Sequence, residues 1–133
     1  MNPFFLVVAL VDLGGVFMHG YVGHRAFITP LTSDRLFPTS LFGDASWSRR
    51  VFMVTWHAVT AVFAVSAAMM LLMAFGAFAS PPAALFASAI HVGFLLVAFA
   101  VSGRRIAWPP RRMPFGFVVG MSTAALMGWL GTL

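Results

Sequence analysis

Four ionisable residues stand inside long apolar runs of this 133-residue chain: Asp12, His19, His57 and His91. An unpaired charge at the centre of a bilayer costs upward of about 2.5 kcal/mol, so such groups persist only when neutral, paired or facing water. Asp12 and His91 form a candidate proton-handling pair, because a carboxyl can hold an imidazole in one tautomer or exchange a proton with it near neutral pH. The plainer alternative is a buried hydrogen bond that fixes helix register. His19 and His57 are candidate ligands of haem b, whose iron takes one imidazole from each of two helices. Gly15, Gly20 and Gly23 would leave room for the macrocycle. A copper ion is a lesser candidate, with Met18 beside His19 and Met53 one turn from His57. Against both, histidines also bond neighbouring carbonyls or a hydroxyl such as that of Thr60, and methionines, including Met69, Met70 and Met73, also serve as ordinary packing. His24, beside Arg25, reads as an interfacial residue.

The elements that must position these groups follow from composition. At 61% hydrophobic and 8% charged, the chain is too apolar for a soluble globule of its size. A helical crossing needs about 20 apolar residues, and four runs have that length, at about residues 3–24, 49–78, 82–103 and 113–132. The expected architecture is an all-α membrane protein, a four-transmembrane-helix bundle forming one integral membrane domain over residues 1–133. The first run has no basic segment before it and carries Asp12, so it reads as a retained helix and not a signal peptide. All eight basic residues are arginines, at Arg25, Arg35, Arg49 and Arg50 in one connection and Arg104, Arg105, Arg111 and Arg112 in another. Arginine accumulates on cytoplasmic loops, so the expected topology is N-out, C-out in a bacterial inner membrane, with the Ala79-Ser80-Pro81-Pro82 turn outside. Residues 26–48 are too apolar for a solvated linker and are expected to lie along the cytoplasmic interface, with a short helix after Thr32-Ser33-Asp34. Asp44, Ser46 or Ser48 is expected to cap the second helix.

Depth, counted from the arginines, pairs the ionisable groups. His19 lies six residues from Arg25 and His57 seven from Arg50, both roughly 10 Å inside the boundary. Asp12 and His91 lie thirteen residues from Arg25 and Arg104, both roughly 20 Å inside. In a membrane, small and polar residues mark the faces where helices meet. Asp12, Gly15, His19 and Gly23 form one such stripe, His57, Thr60, Ala64 and Ala68 a second, and Ala84, Ser88, His91, Ala98 and Ser102 a third. Gly116, Gly120, Ala124 and Gly128 form a helix-packing ladder on the fourth run.

Three stretches, HGYVGHRAFITPL, RRVFMVTWHAVT and VSGRRIAWP, resemble a group of small, functionally uncharacterised bacterial four-helix integral membrane proteins. That resemblance implies that the His19 region, Trp56-His57 and Trp108-Pro109 belong to one recurring design. The sequence departs from it at His24, where the group often carries an acidic residue.

The acids are only Asp12, Asp34 and Asp44, and cysteine is absent, which disfavours hydrolytic chemistry and excludes thiolate chemistry. No nucleic-acid partner is implied. The expected partners are the lipid bilayer and other membrane subunits or further copies of the chain. The leading expectation is an accessory or assembly subunit of a larger bioenergetic membrane complex, respiratory or photosynthetic. A haem b- or metal-binding redox protein is the first alternative, and a proton-coupled small transporter the second.

Overall fold

Asn2 opens the first helix. Its side-chain oxygen accepts the amides of Phe4, at 3.0 Å, and Phe5, at 3.4 Å, and Pro3 occupies a first-turn position whose missing amide costs nothing. The computed structural model describes residues 1–32, 44–102 and 115–133, and among these every regular element is helical. α1 spans Pro3–Gly15 and continues without a break as a π-helix over Val16–Ile28. α2 spans Ala45–Ala74, α3 Pro81–Ser102 and α4 Phe115–Leu130. Three of these helical stretches, Pro3–Ile28, Ala45–Ala74 and Pro81–Ala100, are long and apolar enough to cross a membrane. The chain is a membrane-compatible helical protein. α4 is described over 16 residues, or roughly 24 Å at 1.5 Å per residue, short of a hydrocarbon core of about 30 Å. The short helix expected after Thr32-Ser33-Asp34, residue Met113 and the connection bearing Arg104, Arg105, Trp108, Arg111 and Arg112 lie outside the described residues.

α2 is shifted from its expected span of 49–78 at both ends for local reasons. Asp44 caps its start, accepting the Trp47 amide at 2.8 Å and the Ser46 hydroxyl at 2.7 Å. Gly76 ends it in a left-handed conformation, φ 75°, with Gly76 N–H bonding Met73 O and Ala77 N–H bonding Leu72 O. This paired pattern is the Schellman closure, and only glycine adopts it without cost. The inward face of α2 also differs from expectation. His57, Ala64 and Ala68 are exposed, and Phe63, Ser66, Ala67, Met70, Met73 and Ala74 are buried. The buried face of α2 mixes large side chains, Phe63, Met70 and Met73, with the small Ser66, Ala67 and Ala74, and so is rotated from the stripe of His57, Ala64 and Ala68.

The chain forms two compact units, Met1–Asp12 with Ser66–Leu133, and Leu13–Val65. In the first, Phe5, Val8 and Ala9 from α1, Met70, Met73 and Ala74 from α2, Ala84 and Ala87 from α3 and Ala124 from α4 make one core. The ladder on α4 takes part unevenly. Ala124 and Gly128 are buried, a Cβ on Gly120 would sit 3.5 Å from Val11, and one on Gly116 would meet nothing within 4 Å among the described residues. The ends of this unit are tied by Asn2, whose N–H bonds Ala74 O at 2.8 Å and whose side-chain amide donates to Gly131 O at 3.0 Å.

In the second unit the π-helix packs on the first half of α2 at glycines. A Cβ at Gly20 would fall 2.7 Å from the Thr60 methyl, and one at Gly23 would fall 2.7 Å from the Trp56 indole. Ile28 is fully buried, and the Arg49 Nε donates to Leu31 O at 2.7 Å, fastening the start of α2 to the turn that follows the π-helix.

Candidate functional site

In the first unit the structure brings Asp12 and His91 together. Their side chains are 0% and 1% exposed, and His91 Nε2 lies 2.7 Å from Asp12 Oδ1. The opposite ring nitrogen, Nδ1, lies 2.7 Å from Ala87 O on the preceding turn of α3. A carbonyl oxygen only accepts, so Nδ1 carries a proton and donates it. The Nε2–Oδ1 contact then holds a single further proton. Placed on oxygen it gives a neutral acid–imidazole pair; placed on nitrogen it gives a carboxylate–imidazolium pair. The net charge of the two groups is zero in both cases, which a low-dielectric surround favours over any state with one unpaired charge. Among the described residues, the remaining carboxyl oxygen, Asp12 Oδ2, is buried without a hydrogen-bond partner, as is the hydroxyl of Ser66 in the same unit. A buried orphan acceptor costs about 1–3 kcal/mol, so this carboxyl has a free position at which a proton or a water would be stabilised.

Ser88, one turn before His91, donates to Ala84 O at 3.0 Å. Ala84, Ser88 and His91 are all buried, so α3 turns this part of its small, polar stripe inward.

The second unit carries the other three histidines. His19 Nδ1 lies 3.0 Å from the Thr60 hydroxyl, and the His19 ring is stacked on the Trp56 indole at a centroid distance of 4.2 Å. The same indole donates from Nε1 to His19 O at 3.0 Å. Thr60 and Trp56 thus hold His19 by side chain, ring face and backbone at once. His57 is engaged elsewhere, with its Nε2 3.0 Å from Nδ1 of His24 and the two rings 31° apart. An open groove of about 600 Å³ runs beside this group, lined by Val16, Phe17 and Tyr21 and by the polar side chains of His57 and Thr60. Arg25 turns its guanidinium over the Tyr21 ring, 5.1 Å from the centroid.

The π-helix explains why His24 takes part. At 3.6 residues per turn, residues five apart are about 140° from each other around an α-helix, so His19 and His24 would diverge. In the wider turn closed by i→i+5 bonds, such as Thr29 N–H to His24 O at 2.9 Å, they come round to the same side, and both bond residues of α2. Sequence reasoning places His24 at the membrane edge because it stands beside Arg25, and misses it as the partner of His57. The nearby Gly20 and Gly23, which accept Thr60 and Trp56, were the available signal that this stretch approaches α2 closely.

Haem b ligated by His19 and His57 does not fit this arrangement. Trp56 covers one face of the His19 ring, Thr60 and Trp56 fill the space beside Gly20 and Gly23, and His57 presents Nε2 to His24. The methionine readings separate as well: Met70 and Met73 are core residues, whereas Met18 is exposed. Among the described residues, no group of three or more His, Cys, Asp or Glu converges as a metal centre. Compared with known proteins, the chain matches no family model, no curated protein and no solved structure.

Proposed function

We propose that this chain is a small accessory subunit of a larger, bioenergetic complex of the bacterial inner membrane, and that it holds a transferable proton at Asp12–His91. In this reading it crosses the membrane four times, with both ends outside and both arginine-rich connections cytoplasmic, as the arginine distribution favours. The observation that carries the proton-handling role is the buried 2.7 Å contact whose tautomer is dictated by Ala87 O. The accessory role draws support from the second unit. Ionisable residues within membrane spans almost always face protein or water, yet His57 lies exposed on α2 next to an open groove, where a partner subunit would cover it.

The test is purification in mild detergent with a tag on the chain. Recovery with stoichiometric membrane partners is expected; a chain recovered alone and fully stable overturns the subunit reading. The proton-handling reading is checked separately by infrared difference spectroscopy, where the carbonyl stretch of a protonated carboxyl is expected and should vanish in Asp12→Asn. Absence of that band at all accessible pH values rejects it. Because the chain has no cysteine, single introduced cysteines report topology without background. Ala79→Cys should react with an impermeant thiol reagent added outside and Ser33→Cys should not.

A further inference from the structure

The geometry points to a metal site that the proton-handling reading does not use: we propose that His24 and His57 bind one divalent late transition ion, of the copper or nickel type, through Nδ1 and Nε2 respectively. Two observations carry it. The first is the convergence of two ring nitrogens from different helices at 3.0 Å. With metal–nitrogen bonds of about 2.0–2.1 Å, two ligands at a right angle stand about 2.9 Å apart and two at a tetrahedral angle about 3.3 Å apart. The observed separation is near the right-angle value, the arrangement of tetragonal copper(II) and nickel(II) sites. The nitrogens therefore already stand at the separation of two ligands on one ion, and seating it requires turning the two rings so that their lone pairs converge.

The second observation is the π-helix itself. Stretches of i→i+5 bonding are rare and concentrate at functional sites, and this one spans Val16–Ile28. Its consequence for side chains is specific. It moves His24 from the face an α-helix would give it to the face where His57 waits. A hydrogen bond between an exposed and a half-buried imidazole is worth about 1 kcal/mol, a weak reason to sustain an uncommon backbone. A shared metal ion is a stronger one.

The chemistry of the donors is consistent with this. Both imidazoles bind as neutral ligands, each carrying its proton on the far nitrogen, Nε2 of His24 and Nδ1 of His57. The metal replaces the hydrogen bond with no net release of a proton from the neutral pair. His57 is exposed and His24 half-buried, so an ion reaches them without opening the fold. Arg25, the adjacent cation, is turned onto Tyr21. The protein supplies two ligands and leaves the other positions to water or to a partner, so the site is open, as reactive or bridging metal sites are.

The experiment uses the intact chain in detergent, titrated with Cu²⁺ and followed by electron paramagnetic resonance. One equivalent is expected to bind with hyperfine structure from two imidazole nitrogens. His24→Ala and His57→Ala should each remove that signature. Even outer-shell partners are worth roughly tenfold in metal affinity, so losing either ligand should weaken binding by more than tenfold. The double variant gives the background from the terminal amine. His24→Gln and His57→Gln retain a side-chain hydrogen bond, and their helicity by circular dichroism separates loss of a ligand from loss of fold. Binding unchanged in either well-folded single variant, or binding of the intact chain no tighter than that of the double variant, overturns the proposal. So does a site abolished by His19→Gln but kept in His24→Gln, which would move the ligand set to His19. None of these outcomes depends on whether Asp12 exchanges a proton.

Discussion

Two of the contacts that join a histidine to another ionisable side chain, His91–Asp12 and His57–His24, are of nearly equal length and opposite character. His91 meets Asp12 at 2.7 Å with both side chains sealed, and the ring's other nitrogen is satisfied by its own helix. His57 meets His24 at 3.0 Å on an exposed edge, across two helices, and only because the backbone of one has widened. The buried contact is complete in itself except for one carboxyl oxygen, so its purpose concerns what sits between the two groups. The exposed contact is incomplete in itself, so its purpose concerns what comes to it. Burial decides how much each is worth to the fold, and substitutions should divide them accordingly.

The largest effect is expected at the buried pair. His91→Ala leaves Asp12 with no partner at either oxygen, and breaking a buried pair from one side costs about 3–5 kcal/mol. Asp12→Asn is different: the amide donates to Nε2 while Nδ1 still donates to Ala87 O, so stability should stay within about 1 kcal/mol of the original. Equilibrium unfolding in mixed micelles measures both. If Asp12→Asn proves as damaging as His91→Ala, the resting pair is an imidazolium–carboxylate, because an amide cannot balance the imidazolium.

A smaller effect should follow from crowding the wall behind His91. A Cβ on Gly128 would press on the Ser88 hydroxyl and approach Ala84 O at 3.7 Å. Overpacking of this kind costs about 1–3 kcal/mol, so Gly128→Ala is expected to destabilise the first unit by that order. Gly116→Ala, with nothing within 4 Å among the described residues, should be neutral or gain about 0.4–1 kcal/mol from reduced chain entropy. The same unfolding assay distinguishes them, and equal effects at the two glycines would remove the distinction drawn along the α4 ladder.

At the exposed pair, removing either ring should cost little in stability even though it abolishes metal binding. His57→Ala forfeits one hydrogen bond, about 0.5–1.5 kcal/mol, and leaves His24 free to bond water. A loss comparable to that of His91→Ala would show that His57 is a structural member of the second unit, and the contrast between the two pairs would fail.

How much of this could be read without coordinates differs between the pairs for a physical reason. Asp12 and His91 lie on α-helical stretches, where counting thirteen residues from an arginine gives depth and a 3.6-residue period gives the face; the bond between them follows from both. The same counting sets His57 at the depth of His19, while His24 is left at the rim by its place beside Arg25; the α-helical period gives no reason to turn it toward His57. No local residue pattern announces i→i+5 bonding, and the close approach of Gly20 to Thr60 and of Gly23 to Trp56 that accompanies it is tertiary information. The membrane-spanning lengths of the first three helical stretches follow from composition alone. The shift of α2 does not, although Asp44 and Gly76 are the residues that set its ends, since caps compete with several neighbours of similar propensity.

The smallest expected effect sits at the start of α2, the helix that carries His57. Asp44 is exposed, and the Ser46 hydroxyl, followed by the Trp47 amide, holds its carboxyl below the usual aspartate range. The folded chain therefore releases this proton more readily than the unfolded one. Between the folded value and the unfolded value of about 3.9, the unfolded chain binds more protons, so stability rises with pH across that window. The contribution is fully present above the unfolded value and is lost as pH falls through the folded one. The visible event should be fraying of the first turn of α2, followed by the fluorescence of Trp47. Asp44→Asn caps as well as aspartate but does not titrate, so its profile should be flat across the same window. A transition that persists unchanged in Asp44→Asn would assign the acid sensitivity to another group.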